Sequence, residues 1–164
     1  MHTFETLDTP DGPFTLVENA DAVVVASAWS DDAAAVAARA GLAPGDVSPG
    51  ACRASAAVRA FYAGDVSAIA SVPVAQSGTD FQTAVWSALR EIPPGEVRRY
   101  GELAADLGSP GASRAVGAAC GRNAVALFVP CHRVVGASGA LTGFAWGVDV
   151  KRSILTREGV KIPG

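Results

Sequence analysis

The 164-residue sequence has no apolar run that approaches the roughly 20 residues of a membrane-spanning helix. Its first residues, Met-His-Thr-Phe-Glu, lack the basic and then apolar pattern of a signal peptide. Charged residues make up only 18% of the chain and apolar residues 49%, a composition typical of folded rather than disordered proteins. We therefore expect a soluble, intracellular protein.

Cysteine is scarce as well. The three cysteines, Cys52, Cys120 and Cys131, are odd in number and lack the spacing of metal ligands. This pattern favours neither a disulfide framework nor a zinc site. We expect no metal and no cofactor, and any chemistry of the protein has to come from its own side chains.

The formal net charge of -3 is divided unevenly along the chain. Residues 1–96 hold 4 Lys or Arg and 12 Asp or Glu, whereas residues 97–164 hold 9 and 4. The first part is thus acidic, at -8, and the last part basic, at +5. A basic C-terminal part is consistent with a polyanionic partner, although exposed charge is also compatible with a solvated surface.

The N-terminal part is predicted to be a scaffold. Residues 14–18 and 23–29 are β-branched runs on either side of turn-forming residues, which indicates a hairpin. Helices are predicted from Asp31 to Arg39 and from Arg53 to Tyr62, and a further strand over residues 68–74. No cluster of reactive side chains occurs here, so we place a domain boundary after residue 76 and give residues 1–76 a structural role.

Three helices are predicted next, and the last two form a helix-turn-helix. Thr79 and Gln82 have the spacing of a capping box that starts a helix ending before Pro93. The following helices cover residues 100–108 and 110–120, the second starting at Ser109-Pro110. Alanine and glycine line the second helix, and Arg114 projects near its start. Such a slim helix can enter a DNA groove, but helical hairpins are also common structural elements.

The run over residues 124–135 leads from apolar residues into Cys131, His132 and Arg133. A thiol is a strong nucleophile as thiolate, a form that cationic or basic neighbours favour. The alternative is a small buried hydrophobe. Pro130 ends the predicted buried strand, which places Cys131 at a pocket wall. Adjacent side chains of an extended segment face opposite ways, so contact between Cys131 and His132 needs a tight turn or a bridging water.

Two later segments complete the predicted site. Residues 136–147 are rich in glycine but hold Phe144 and Trp146, which is typical of a loop covering a pocket. A last helix over residues 149–158 places Val150, Ile154 and Glu158 on one face. A carboxylate on an apolar face needs a partner, and His132 is the candidate; a surface Glu at a helix end is the alternative.

These residues resemble the O6-alkylguanine-DNA alkyltransferases. The resemblance lies in Pro-Cys-His-Arg at 130–133, Tyr-Gly-Glu-Leu-Ala at 100–104, Ser-Arg-Ala-Val-Gly at 113–117, Arg-Asn at 122–123 and the tail from 139 to 159. It is colinear over about residues 79–159. It implies an α/β (α+β) protein with a small N-terminal sheet-plus-helix domain of ribonuclease H-like type. Residues 77–164 would form a winged helix-turn-helix alkyltransferase domain.

The implied activity is DNA repair by a suicidal methylated-DNA–protein-cysteine S-methyltransferase. The protein would act as a monomer on the minor groove of double-stranded DNA and flip out an O6-alkylguanine, mainly O6-methylguanine, with O4-methylthymine as a further candidate. The resemblance also implies a protein of the cytoplasm that is associated with the bacterial nucleoid when it is bound to DNA. The protein would transfer the alkyl group once and irreversibly to Cys131. His132 would be the water-mediated base and Glu158 the carboxylate that orients it. The residues implied to contact DNA are Tyr100, Ser113, Arg114, Asn123 and Arg133. Asn123 is also implied to support the site through its turn. The implied pocket residues are Tyr100, Val134, Phe144, Ala145 and Trp146.

Phe144 and Ala145-Trp146 depart from the tyrosine and the hydroxyl-glycine pair of many relatives. We expect Trp146 to narrow the pocket, so that methyl adducts are preferred over benzyl adducts. Two other functions compete with alkyl transfer. A Cys-His hydrolase would turn over an ester or amide repeatedly, and a lesion sensor would bind alkylated DNA without repairing it. Sensors of this kind replace the acceptor cysteine, so Cys131 argues against that alternative.

Overall fold

The computed structural model describes residues 1–162, which fold into two compact units. The first unit contains residues 1–77 and also residues 124–128, and the second contains residues 78–123 and the described residues from 129 onward. The division predicted after residue 76 lies close to the break after Ser77. The return of residues 124–128 to the first unit was not predicted.

The first unit is a four-stranded sheet with two helices. Strands β1 and β2 and strands β2 and β3 pair antiparallel, whereas β4 joins β1 in parallel, which gives the order β3-β2-β1-β4. Its elements are β1 (His2–Thr9), β2 (Gly12–Glu18), β3 (Val24–Ala28), α1 (Ala33–Ala38), β4 (Val47–Pro49) and α2 (Ser55–Tyr62). The predicted hairpin and both predicted helices are therefore present, with Asp32 as the N-cap of α1.

Two apolar segments of this unit, residues 68–74 and 124–128, are not the strands that were predicted. Residues 68–74 form successive turns, because their amides bond to carbonyls three residues back, and only Val74 bridges to Val24. Residues 124–128 likewise form one isolated bridge, between Val125 and Ser27. Leu127 adopts a φ of 74°, a left-handed conformation that an extended strand does not allow.

The second unit has four helices and a short parallel strand pair. Its elements are α3 (Asp80–Arg90), β5 (Arg98–Arg99), α4 (Tyr100–Asp106), α5 (Ser113–Gly121), β6 (Val134–Val135) and α6 (Val148–Arg157). Thr79 and Gln82 form the predicted capping box of α3. Helices α4 and α5 form the predicted helix-turn-helix.

The start of α5 was predicted too early. Ser109 and Pro110 lie in a turn closed by the Ala112 amide on the Ser109 carbonyl, at 2.9 Å, and the helix begins only at Ser113. Trp86 of α3 fixes the other end of the helix, since its indole N–H donates to the Ala119 carbonyl at 2.9 Å. Helix α5 therefore carries Arg114 in its first turn and Cys120 in its last.

Candidate active site

Cys131, His132 and Arg133 form one turn of 3-10 helix between Pro130 and β6. The Cys131 amide donates to the Val129 carbonyl at 2.8 Å and the Arg133 amide to the Pro130 carbonyl at 3.0 Å. With three residues per turn, consecutive side chains point about 120° apart. A tight turn is thus present, but it directs the thiol and the imidazole apart and does not bring them into contact, so the bridging water is the alternative that remains.

The buried imidazole of His132 reaches Glu158 at the end of α6. Nε2 of His132 lies 3.0 Å from Oε2 of Glu158, and both side chains are 0% exposed. Arg133 holds the same carboxylate with two bonds, from Nε to Oε1 at 3.0 Å and from Nη2 to Oε2 at 2.6 Å. The predicted pairing of His132 with Glu158 is present, and Arg133 completes it as a three-residue ionic cluster.

The protonation states of this cluster follow from its charges. Burial would raise the pKa of Glu158, but His132 and Arg133 outweigh it and hold the pKa below its usual value. Burial lowers the pKa of His132, against the opposing attraction of Glu158. Because the guanidinium of Arg133 carries a permanent charge, we assign an ionised Glu158 and a neutral His132 at pH 7.

These states fix the tautomer of the imidazole. An ionised carboxylate only accepts hydrogen bonds, so Nε2 of His132 has to carry the proton and Nδ1 is left as the acceptor. Across residues 1–162, Nδ1 of His132 is the one buried side-chain nitrogen or oxygen atom with no hydrogen-bond partner. A buried basic nitrogen is therefore available beside the cysteine.

A pocket of about 440 Å³ adjoins the cysteine in the second unit. Four of its lining residues carry side chains with distinct chemistry, namely Tyr100, Cys131, Phe144 and Trp146. The rings of Phe144 and Trp146 meet edge to face, with their centroids 5.1 Å apart. The remaining lining residues are Gly117, Cys120, Gly121, Gly143 and Ala145. The loop predicted to cover a pocket does form one wall, and the small residues of α5 form another.

Lys151 is a residue of the site that sequence analysis missed. Its side chain is buried, and Nζ donates to the carbonyls of Val134 at 2.7 Å and Thr142 at 2.9 Å. The same atom lies 5.9 Å from the centroid of the Phe144 ring. Burial lowers the pKa of Lys151, while both pocket cysteines act in the opposite direction. Lys151 lies three residues before Ile154 and seven before Glu158, so helical spacing places it on the same face of α6. This spacing is the signal in the sequence that could have identified Lys151 as a site residue.

A second concavity of about 540 Å³ lies between the starts of α4 and α5. Tyr100, Ser113 and Arg114 line it together with Arg99, and Arg114 is exposed. The phenol of Tyr100 also lines the pocket of Cys131. Burial raises the pKa of Tyr100, so it is a protonated hydrogen-bond donor at neutral pH. These three residues are therefore accessible to a polyanion.

Three predicted roles do not fit the structure. Arg133 is not a DNA contact, because it is buried and bonded to Glu158 and to the Ile92 carbonyl at 2.6 Å. Asn123 is also fully buried and does not face DNA, but its amide donates to the Val129 carbonyl at 2.9 Å, in agreement with the supporting role of its turn. Val134 is buried and is not among the described residues that line the pocket of Cys131, so its side chain does not form the pocket wall.

Within the described chain, no helix is long and apolar enough to cross a membrane, and no group of three or more His, Cys, Asp and Glu residues is arranged to hold a metal ion.

Residues 80–160 match the family model described as 6-O-methylguanine DNA methyltransferase, DNA binding domain. The chain is 53% identical over 106 residues to a methylated-DNA–protein-cysteine methyltransferase of Methanosarcina acetivorans, a match that covers 65% of this chain and 67% of the relative. It is 54% identical over 99 residues to the protein of that name from Salmonella typhimurium, which covers 60% and 58%.

Solved structures match over more of the chain. The Mycobacterium tuberculosis O6-methylguanine methyltransferase superposes with a TM-score of 0.81 at 40% identity, over 100% of this chain and 96% of that one. A structure of the M. tuberculosis protein called OGT in complex with DNA matches with a TM-score of 0.79 at 40% identity, over 95% and 92%. The similarity thus extends through both units.

Proposed function

This chain belongs to the methylated-DNA–protein-cysteine methyltransferase family, and we propose that it repairs alkylated DNA by direct reversal, with Cys131 as the single-use acceptor. A guanine carrying an O6-alkyl group leaves the duplex, enters the pocket of Cys131 and gives up its alkyl group. The observation that carries the proposal is the buried Nδ1 of His132, an acceptor without a partner beside a cysteine on a pocket wall.

Transfer is a displacement at the alkyl carbon. The bond from Sγ of Cys131 to that carbon forms while the bond from the carbon to guanine O6 breaks, and its electron pair stays with the guanine. The thiol proton passes through a water molecule to Nδ1 of His132, since the turn directs the two side chains apart. Glu158 stabilises the imidazolium that results. The product is a thioether, which no group of the site can cleave, so each molecule acts once.

The pocket also assists the leaving group. Negative charge develops on the guanine as the carbon–oxygen bond breaks, and hydrogen bonds to the base stabilise it. Tyr100 is a protonated phenol that lines this pocket. It also lines the neighbouring concavity with Arg114, which supports a contact between Tyr100 and the backbone of the flipped nucleotide.

DNA binding belongs to the second unit, and the first unit acts as a scaffold. Removing a base from the stack costs a few kcal/mol. Arg114, exposed in the first turn of α5, fills the space that the base leaves, and Ser113 contacts the backbone beside it. Small residues of α5 allow its approach through the minor groove, where binding depends little on sequence. The protein acts as a monomer in the cytoplasm, on the nucleoid.

Pocket width sets the preferred adduct. Phe144 and Trp146 support each other edge to face, and Lys151 lies against Phe144, so the aromatic wall resists displacement. Methyl adducts, on O6 of guanine and also on O4 of thymine, are expected to react faster than benzyl adducts.

The test is to mix the protein with duplex DNA containing one O6-methylguanine and to weigh it. The expected result is a gain of one methylene on the peptide that contains Cys131, at one equivalent and without further turnover. Cys131→Ser should show no gain, and Cys52→Ser, a matched change in the first unit, should react like the parent. Binding without a mass gain would indicate a lesion sensor, and repeated turnover of an ester would indicate a hydrolase; either result rejects the proposal.

A further inference from the structure

Two cysteines line the pocket that receives the base. Cys131 lies in the 3-10 turn before β6, and Cys120 lies in the last turn of α5. Both belong to the second unit, both line the same pocket, and Cys131 is near enough to Cys120 to affect its titration electrostatically. The mechanism above uses one of these thiols and leaves the other without a role.

The environment of Cys120 keeps it from competing for the alkyl group. Burial, followed by the neighbouring Cys131, raises the pKa of Cys120 to about 12, with Lys151 acting weakly against them. At neutral pH Cys120 is therefore a protonated thiol, a poor nucleophile towards an alkyl carbon. It is half-buried and stays on the pocket wall.

A cysteine held ready for a single irreversible reaction is also open to oxidation. Peroxide converts a thiolate to a sulfenic acid, and further peroxide converts that to sulfinic and sulfonic acids that ordinary thiols do not reduce. A pocket of about 440 Å³ that admits a nucleobase also admits hydrogen peroxide. Oxidised Cys131 could no longer accept an alkyl group. A second thiol on the same wall can stop the oxidation at the reversible stage.

We propose that Cys120 is a resolving cysteine, which traps oxidised Cys131 as an intramolecular disulfide. In the first step Cys131 thiol and hydrogen peroxide give the sulfenic acid and water. In the second step the proton of Cys120 passes to the hydroxyl of the Cys131 sulfenic acid, which leaves Cys120 as a thiolate beside an electrophilic sulfur. The Cys120 sulfur attacks the Cys131 sulfur, the S–S bond forms, the S–O bond breaks, and the protonated hydroxyl leaves as water. Two thiols are oxidised by two electrons, and one peroxide is reduced to two waters.

The disulfide makes the oxidation reversible. A dithiol reductant cleaves the bond and returns both cysteines to thiols, so the unused acceptor is preserved. The resolving role of Cys120 goes beyond the proposed alkyl transfer. It rests on the proposed function in one respect, namely that Cys131 is the reactive thiol. Cys52 has no such part, because it is buried in the first unit, where its thiol donates to the carbonyls of Thr3 and Leu16.

The experiment treats the full-length protein with hydrogen peroxide and follows it by mass spectrometry. Trypsin cuts after Arg114, Arg122 and Arg133, so Cys120 and Cys131 fall on separate peptides, residues 115–122 and 123–133. The expected product is a monomer lighter by two hydrogens, in which these two peptides are joined, and dithiothreitol restores both. Alkyl transfer is measured before peroxide, after peroxide and after reductant. The activity should be lost on treatment with peroxide and recovered on treatment with reductant.

Cys120→Ser and Cys120→Ala separate the resolving role from general damage, each compared with its own untreated activity and checked by thermal melting. In both variants Cys131 should gain two or three oxygens, and reductant should recover several-fold less activity than in the parent. Cys52→Ser should recover like the parent. Equal recovery in the parent and the Cys120 variants, a disulfide between molecules, or sulfinic acid on Cys131 of the parent without a joined peptide would overturn the proposal. Because joined peptides are detected without any DNA, this outcome is independent of whether the protein transfers alkyl groups.

Discussion

Replacing Glu158 with glutamine should damage both the stability and the reaction rate of the protein. The carboxylate is fully buried and accepts three hydrogen bonds, one from His132 and two from Arg133. Glutamine keeps one acceptor oxygen and turns an N–H₂ group towards one of these donors. The guanidinium of Arg133 then remains buried with the Ile92 carbonyl as its other partner and no opposite charge.

Breaking a buried ion pair from one side costs about 3–5 kcal/mol, because a charge is left uncompensated. For a protein of this length, each kcal/mol lowers the melting temperature by about 2–4 °C. Glu158→Gln should therefore melt about 6–20 °C below the parent in a circular dichroism scan. Glu96→Gln is the matched control, since the Glu96–Arg98 pair is largely exposed and such pairs contribute about 0–1 kcal/mol.

The rate of alkyl transfer is the second quantity to measure. Single-turnover transfer from an O6-methylguanine duplex, followed at a temperature where both proteins are folded, should slow by roughly 10²-fold, at the lower end of what a positioned general base contributes. The amide no longer stabilises an imidazolium on His132. A variant that melts within about 2 °C of the parent, or transfers at the parental rate, would refute the reasoning that links Glu158 to Arg133 and His132.

Four further results are expected. Arg114→Ala should slow repair of duplex DNA at least tenfold more than reaction with free O6-benzylguanine, and equal losses would mean that Arg114 does not support base flipping. Trp146→Gly should raise the benzyl-to-methyl ratio of transfer rates, and an unchanged ratio would show that Trp146 does not limit the pocket. Lys151→Met should remove the hydrogen bond from Nζ to the buried Val134 carbonyl, at a cost of about 1–3 kcal/mol, and the bond to the part-buried Thr142 carbonyl, measured as a lower free energy of unfolding in urea; a loss below about 0.5 kcal/mol would contradict this. Burial lowers the pKa of His132 in the folded state, so the unfolded chain binds more protons below pH 6.5. The free energy of unfolding and the transfer rate should therefore both fall as the pH drops below that value. A stability that rises on acidification would contradict a neutral His132.

Local patterns in the sequence predicted the elements of the second unit well. Thr79 and Gln82 identify the start of α3. The predicted face of α6 is correct for the buried Ile154 and Glu158, but Lys151 and Leu155 complete the buried face and Val150 does not. The two wrong strand predictions have a common cause. Residues 68–74 and 124–128 are rich in strand-forming side chains, but their backbone bonds are made to local carbonyls or to single partners far away in the sequence, which propensity does not report.

The residues of the candidate site also divide into those that local sequence patterns identify and those that only the folded structure shows. Cys131 and His132 were identifiable from their chemistry, and the partner of His132 from helical spacing. The role of Arg133 was not, because an arginine next to a nucleophile in a basic segment is as compatible with DNA contact as with burial. Only the position of Ile92, Glu158 and the turn shows that the guanidinium is enclosed. Lys151 was overlooked because a lysine is seldom fully buried.

The membership of residues 124–128 in the first unit limits how this protein can be divided or recombined. The segment is held at Ser27, whose amide and hydroxyl donate to the carbonyls of Ala124 and Ala126 and whose carbonyl accepts from the Ala126 amide. A fragment beginning at residue 78 would carry this apolar segment without its partners, a few residues ahead of the nucleophile. A chimera that takes its first unit from a relative must therefore preserve the backbone geometry at Ser27, although that residue takes no part in the chemistry.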